Sequence, residues 1–149
     1  LKEMDGILDK GRNIHVYVFG ATNKPWILDE PFIRRFQKRI YVPLPNLEAR
    51  RELIKIYSRE LSFAPDVDLE KLAELTEGYT GSDIRDLFQT AQIKVVREFF
   101  QSGGVENPNA KPRPITMEDL LEALNSRKPS VSKVMLQAYE KWTASHGAL

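Results

Sequence analysis

Cysteine is absent from the sequence, which excludes a disulfide scaffold, thiolate metal ligation and thiol catalysis. Histidine is scarce. His15 and His146 are the only two and stand far apart, which argues against a His-based metal site. Long apolar runs are missing as well, so the sequence offers no transmembrane helix and no signal-peptide core. Nor does either charge dominate. Lys plus Arg number 22 against 21 for Asp plus Glu, a net charge of +1, and that balance exerts no global pull on nucleic acid or an anionic membrane. What is present, 42% apolar and 29% charged residues over 149 positions, leads to the expectation of a soluble, cytoplasmic, folded chain. The length suits one ordinary domain or two small ones sharing a hinge. It can bury roughly 70% of its unfolded surface without covalent staples.

The character of the chain changes near residue 45. Before it, His15-Val16-Tyr17-Val18-Phe19-Gly20 is a β-branched and aromatic run ending at glycine, as expected of a strand buried on both faces of a parallel sheet. Arg39-Ile40-Tyr41-Val42 is a second strand candidate, stopped by Pro43 and Pro45. Between them Pro25 to Gln37 reads as loop and short helix. Two strands cannot make a stable sheet alone, so further strands are expected on the N-terminal side.

Beyond Pro45 the period becomes helical. Leu53, Ile56, Tyr57 and Leu61 share one face of a helix starting near Asn46. Asp68 caps a short helix carrying Leu69, Leu72 and Leu75, with Gly78 at its C′ position. Ser82 or Asp83 opens a longer helix with the stripe Ile84, Leu87, Phe88, Ala91, Val95 and Phe99. Gln101 to Pro114 reads as a loop and the most mobile segment. Thr116-Met117-Glu118-Asp119 has the capping-box pattern ahead of Leu120, Leu121 and Leu124. Ser130 or Ser132 starts a last helix whose Met135, Tyr139 and Trp142 recur at helical spacing and read as a docking face.

The chemically informative stretch is Gly20-Ala21-Thr22-Asn23, directly after the first strand. α/β proteins place ligands at the carboxyl ends of parallel strands, where an Asn amide can hold a water in line with a phosphate. An Asn turn alone is usually just a turn. Arg34 and Arg35, eleven and twelve residues later, strengthen the functional reading. Together these residues resemble the second region of homology of AAA ATPases, ring-forming ATP-driven remodelling motors. The resemblance implies that Asn23 is sensor 1 and that Arg34 and Arg35 are fingers reaching a neighbouring subunit's ATP. It continues through Phe36-Gln37-Lys38-Arg39-Ile40-Tyr41-Val42-Pro43-Leu44-Pro45, similar to the end of the large AAA subdomain. Glu77-Gly78-Tyr79-Thr80-Gly81-Ser82-Asp83-Ile84 is similar to the adenine-side motif of the small helical subdomain. Arg34-Arg35-Phe36, Lys128-Pro129-Ser130-Val131 and Tyr139-Glu140-Lys141-Trp142 resemble the meiotic clade, which includes katanin, spastin, fidgetin and Vps4 ATPases.

No G-x-x-x-x-G-K-[ST] occurs, so the 149 residues hold no phosphate-cradling P-loop. Ile27-Leu28-Asp29-Glu30 mimics a Walker B end. Pro25 and Pro31 bracket it, however, and only three apolar residues precede Asp29. Leu1 to Gly6 instead resembles the helix that follows a true Walker B strand. The resemblance therefore implies the C-terminal part of an AAA cassette, with P-loop, Walker B and pore loops upstream, and an isolated 149-residue chain without activity.

Four basic residues fall between Arg34 and Arg39. By themselves they read as a solvated charged face. A nucleic-acid patch would want an aromatic platform and a basic balance, and no nucleic-acid partner is expected. Beside the Asn23 motif, phosphate recognition is the better reading, because the planar guanidinium fork pairs bidentately with phosphate. Gly81 and Ser82 open a helix whose N–H groups can bind polar atoms of a base. By resemblance Leu53 and Tyr57 lie beside adenine and ribose. On spacing alone both are ordinary core residues of an amphipathic helix.

The expected fold is thus an α/β P-loop NTPase (AAA) fragment. Two strands of the large subdomain (residues 1–45) precede an all-helical small subdomain (46–149), with a hinge near Pro43 to Asn46. The resemblance implies ATP and Mg²⁺ as cofactors, bound mainly by segments upstream, and a homo-oligomeric, hexameric ring. It further implies a Vps4-like, archaeal-type role in disassembling ESCRT-III-like filaments during membrane scission or cell division, with transient recruitment to membrane necks or the division site. Katanin- or spastin-like microtubule severing is the alternative. A non-catalytic oligomerisation or adaptor module is the reading if no P-loop exists upstream.

Overall fold

The structure, a computed structural model, describes residues 17–107 and 109–147. His15 and Val16 of the first expected strand and the whole Leu1 to Gly6 stretch lie outside the described residues. The chain divides into two units, one holding residues 17–41 with 137–147 and the other 42–136.

In the first unit Tyr17 to Gly20 form neither helix nor ladder among the described residues, and Arg39 alone of the second expected strand makes an isolated bridge. Tyr17 and Phe19 are 80% and 92% exposed. The apolar side chains that suggested a buried strand thus have no sheet against which to pack within the described part. A 3₁₀ turn, Pro25–Ile27, buries Pro25. Helix α1, Glu30–Arg35, follows with Pro31 in its first turn and both arginines in its last, where cations complement the helix dipole. Asp29 and Glu30 are therefore the cap and first residue of a helix rather than the end of a strand. Gly20 permits a close approach, since a Cβ there would stand 3.2 Å from the Phe36 ring. Phe36 also packs tilted on Phe32 with centroids 5.2 Å apart.

The second unit is helical: α2 (Leu47–Ser58), α3 (Leu69–Leu75), α4 (Gly81–Gln101) and α5 (Met117–Ser126). A 3₁₀ turn, Gly104–Glu106, occupies part of the expected loop after α4. Local chemistry starts each helix. Asn46 accepts from Ala49 N at 2.9 Å and Asp68 from Lys71 N at 2.9 Å, each satisfying an orphan N–H of the first turn. The cap of α4 is Thr80, in a capping box with Asp83, rather than Ser82 or Asp83. Thr116 and Asp119 form the expected box on α5. Gly78 takes the left-handed conformation, φ +81°. It stands one residue past the C′ position expected for it, because α3 ends at Leu75 with Thr76 as its cap.

The core of this unit joins α2 to α5 through Ile54, Leu72, Ala73, Tyr79, Ile84, Leu87, Phe88, Ala91, Val95, Ile115, Leu120 and Ala123. The expected α4 stripe is buried from Ile84 to Val95. Of the face expected on α2, Leu53, Tyr57 and Leu61 pack against the core and Ile56 does not. Ile54 is 1% exposed whereas Ile56 is 59% exposed. Arg50 is buried as well, with Nε donating to Ala73 O at 2.9 Å and Nη1 to Pro45 O at 3.1 Å. Its aliphatic stem packs while its head caps carbonyls. Leu75 and Leu121 are likewise exposed, and Ala73, Thr76 and Ala123 take the core positions beside Leu72 and Leu120. A single parallel bridge, Phe63 with Ile115, pins the connection into α5. The last helix, α6 (Lys133–His146), begins in the second unit and ends in the first. Ser132 caps it, accepting from Met135 N at 3.2 Å.

Candidate functional site

Within the first unit, Asn23 sits in the turn between the Tyr17 to Gly20 run and the Pro25 turn. Its side chain is exposed and makes no hydrogen bond among the described residues. The backbone around it is held. Lys24 N donates to Thr22 Oγ1 at 3.0 Å, and the Asn23 carbonyl accepts from the Tyr139 hydroxyl at 2.6 Å. Tyr139 belongs to α6 and packs against Trp26 and Tyr41, with ring centroids 5.2 and 6.1 Å away. Part of the expected docking stripe thus becomes specific. Tyr139 meets the Asn23 turn, whereas Trp142 stacks on His146 one turn further along α6.

Arg34 and Arg35 leave the end of α1 differently. The Arg34 side chain is 79% exposed and pairs with Glu30 one turn back at 2.8 Å. So exposed an ion pair is weak and can be exchanged for a better anion. Arg35 is half-buried and donates from Nη1 to Pro31 O at 2.7 Å. Arg39 is half-buried too, and its Nε has no hydrogen-bond partner among the described residues.

Within the second unit, the expected base-side residues only partly come together. A Cβ on Gly81 would lie 3.6 Å from both Leu53 methyl groups, so Leu53 covers the start of α4. Gly81 and Ser82 are the first two residues of that helix, and their N–H groups have no partner among the described residues. Tyr57 instead lines an open cavity of about 340 Å³ with Glu60, Leu61, Arg85, Phe88, Gln89 and Gln92. Leu53, Gly81 and Ser82 are not part of that lining.

Two carboxylates that sequence reasoning read only as helix-start residues organise this unit. Asp83 Oδ2 accepts from Thr80 N and Oγ1, both at 2.8 Å, and from Ser130 Oγ at 2.9 Å. Burial alone would raise the Asp83 carboxyl, but the bonds from Thr80 and Ser130 outweigh it and hold the group below its ordinary range. The T-x-x-D spacing of the cap was readable; the contact with Ser130, 47 residues away, was not. Asp119 is 2% exposed and receives both Arg113 terminal nitrogens, at 2.6 and 3.0 Å, with Lys94 at 2.9 Å. The bond from Arg113 is the chief reason its carboxyl is held far below the carboxylate range. Lys94, also paired with Glu122, is raised in turn. This cluster ties α4, the loop after it and α5 together, and its polar groups are mutually satisfied.

A nucleotide would find donors and an apolar contact at Gly81, Ser82 and Leu53. Among the described residues no group of three or more acidic, His or Cys side chains could hold a metal ion. No helix of the described residues is long and apolar enough to cross a membrane.

Comparison with known proteins agrees with this layout. A model of the ATPase family associated with various cellular activities (AAA) matches residues 1–44, and a model of the AAA+ lid domain matches residues 66–122. Cell division protein C of Sulfolobus acidocaldarius is 50% identical over 149 residues, all of this chain and 38% of that protein. The A-like 1 form of the katanin p60 ATPase-containing protein of Danio rerio is 42% identical over 139 residues, 90% of this chain and 28% of that protein. The crystal structure of the FIGL-1 AAA domain in complex with ADP superposes with a TM-score of 0.84 at 32% identity, covering 99% of this chain and 50% of that one. The chain thus spans less than two fifths of the length of either relative. With the AAA module and its lid matched in that order over more than half of its residues, this chain belongs to the AAA family.

Proposed function

We propose that these residues are the hydrolysis-sensing and lid portion of an ATP-driven AAA remodelling motor. One observation carries the reading. Among the described residues an exposed, unengaged Asn23 carboxamide stands in a braced turn, and eleven residues on an exposed Arg34 guanidinium makes a weak surface ion pair. Bound ATP supplies the phosphoanhydride whose hydrolysis drives the motor. Asn23 orients the attacking water through its amide. Arg34 reaches a neighbouring subunit's phosphates, and Arg35, engaged with the α1 backbone, supports it. Leu53 and the N–H groups of Gly81 and Ser82 meet the base, with Tyr57 further from it. The triphosphate and Mg²⁺ are held elsewhere in the cassette, since this sequence has no P-loop. Residues 1–45 then belong to a large subdomain and 46–149 to a small one, and the subunits form a homo-oligomeric, hexameric ring in the cytoplasm.

The 50% identity to a cell division protein supports a motor that disassembles ESCRT-III-like filaments at a membrane neck or division site. The 42% identity to a katanin protein favours, as second reading, the severing of microtubule-like polymers. Incubating the full-length ring and ATP with each polymer, and pelleting what remains, separates them. Release of ESCRT-III-like subunits with tubulin polymer intact supports the first reading, and the converse supports the second. Loss of neither polymer contradicts both.

A further inference from the structure

We propose that Tyr139 is a positioning residue for Asn23, setting the orientation of the carboxamide through the Asn23 backbone carbonyl. The inference rests on the reading of Asn23 as the residue that orients water. The bond is 2.6 Å long, within the range of a well-formed O–H···O contact. It bridges 116 residues of sequence. The accepting oxygen lies on the peptide that follows the Asn23 Cα, so holding it fixes the backbone torsion from which the side chain projects. Little else in the turn does so. Residues 17–23 lie outside any helix or ladder, and the nearby bonds from Lys24 N to Thr22 Oγ1 and from Ile27 N to Lys24 O fix neighbouring groups. The donor is braced in its turn. Trp26 and Tyr41 both contact the Tyr139 ring, and Trp26 lies three residues beyond Asn23. A rigid aromatic donor with few rotatable bonds loses little entropy on making this contact. The α6 helix carries no fully buried residue, and the ring contacts with Trp26 and Tyr41 place Tyr139 without requiring its hydroxyl.

Tyr139→Phe in the full-length ring isolates the hydroxyl, because the rings against Trp26 and Tyr41 remain. The expected result is a fall in kcat of about three- to tenfold, the size of one net hydrogen bond, with KM for ATP and ring assembly unchanged. In an Asn23→Ala background the same change should have no further effect, because the group being positioned is gone. A fall that multiplies equally in both backgrounds contradicts the proposal, since Tyr139 would then act by another route. So does a rise in KM with kcat intact, or a Tyr139→Phe chain that no longer folds or assembles. Should Asn23→Ala leave kcat unchanged, the reading of Asn23 itself fails. Should Asn23→Ala lower kcat while Tyr139→Phe does not, only the positioning role is lost.

Discussion

At the scale of single residues, the two side chains proposed to act on ATP differ in what they can do. Asn23 carries no charge with which to anchor a triphosphate, but its amide can hold a water. We expect Asn23→Ala to lower kcat while nucleotide Kd, measured by equilibrium binding to the full-length chain, stays within about twofold. A parallel loss of affinity would reduce Asn23 to a turn residue. Arg34 is the more accessible of the two arginines. Arg34→Ala should cut turnover by about 10³-fold or more, the scale of an arginine finger, and Arg35→Ala by less. The Asn and Arg residue types and their spacing could be read from sequence. Their bracing could not, because the hydroxyl that holds Asn23 comes from 116 residues away. Tyr139 registered only as one member of an aromatic stripe.

At the scale of elements, local chemistry was the legible part. Asp68 and the Thr116–Asp119 box cap their helices as the spacing required, and Asn46, read only as the approximate start of α2, caps it, since a cap depends on only three or four neighbouring residues. Facial periodicity placed Leu53, Tyr57 and Leu61 against the core correctly and missed on Ile56. Arg50, bonded to carbonyls of Ala73 and Pro45, is buried on the same helix, and no hydropathy pattern signals a buried arginine. The strand expectation met a different limit, because a ladder is a property of neighbours, and the described residues of the first unit supply none. The Asp119 cluster gives a pH test. Its folded carboxyl lies below the unfolded value, so the stabilisation is fully present above about pH 4 and is lost as the pH falls further. Thermal unfolding from pH 7 to 3 should show that loss in the natural sequence. Asp119→Asn should cost about 2 kcal/mol at pH 7, at the lower side for a buried pair because Arg113 and Lys94 are partly solvated, and should flatten the acid limb. Thr80→Ala should cost about 1 kcal/mol by uncapping α4. An unchanged acid limb in Asp119→Asn would show that other carboxylates govern acid stability.

At the scale of the whole molecule, the proposed roles divide between the units, with Asn23 and Arg34 in one and Leu53, Gly81 and Ser82 in the other. Neither has a P-loop. The 149 residues by themselves should therefore show no ATPase activity above background, and turnover abolished by Arg34→Ala in this short chain would overturn that expectation. In the proposed ring Asn23 serves its own subunit's ATP and Arg34 the neighbour's. The most direct measurement mixes Asn23→Ala and Arg34→Ala protomers in equal amounts and assays ATP hydrolysis. Each parent ring should be nearly inactive. In a head-to-tail ring assembled at random, about a quarter of the interfaces pair an intact Asn23 with an intact Arg34, so the mixture should recover up to about that share of the unmutated rate. A mixture no more active than the average of its two parents, with mixed assembly verified, would contradict an arginine that acts across the boundary between protomers.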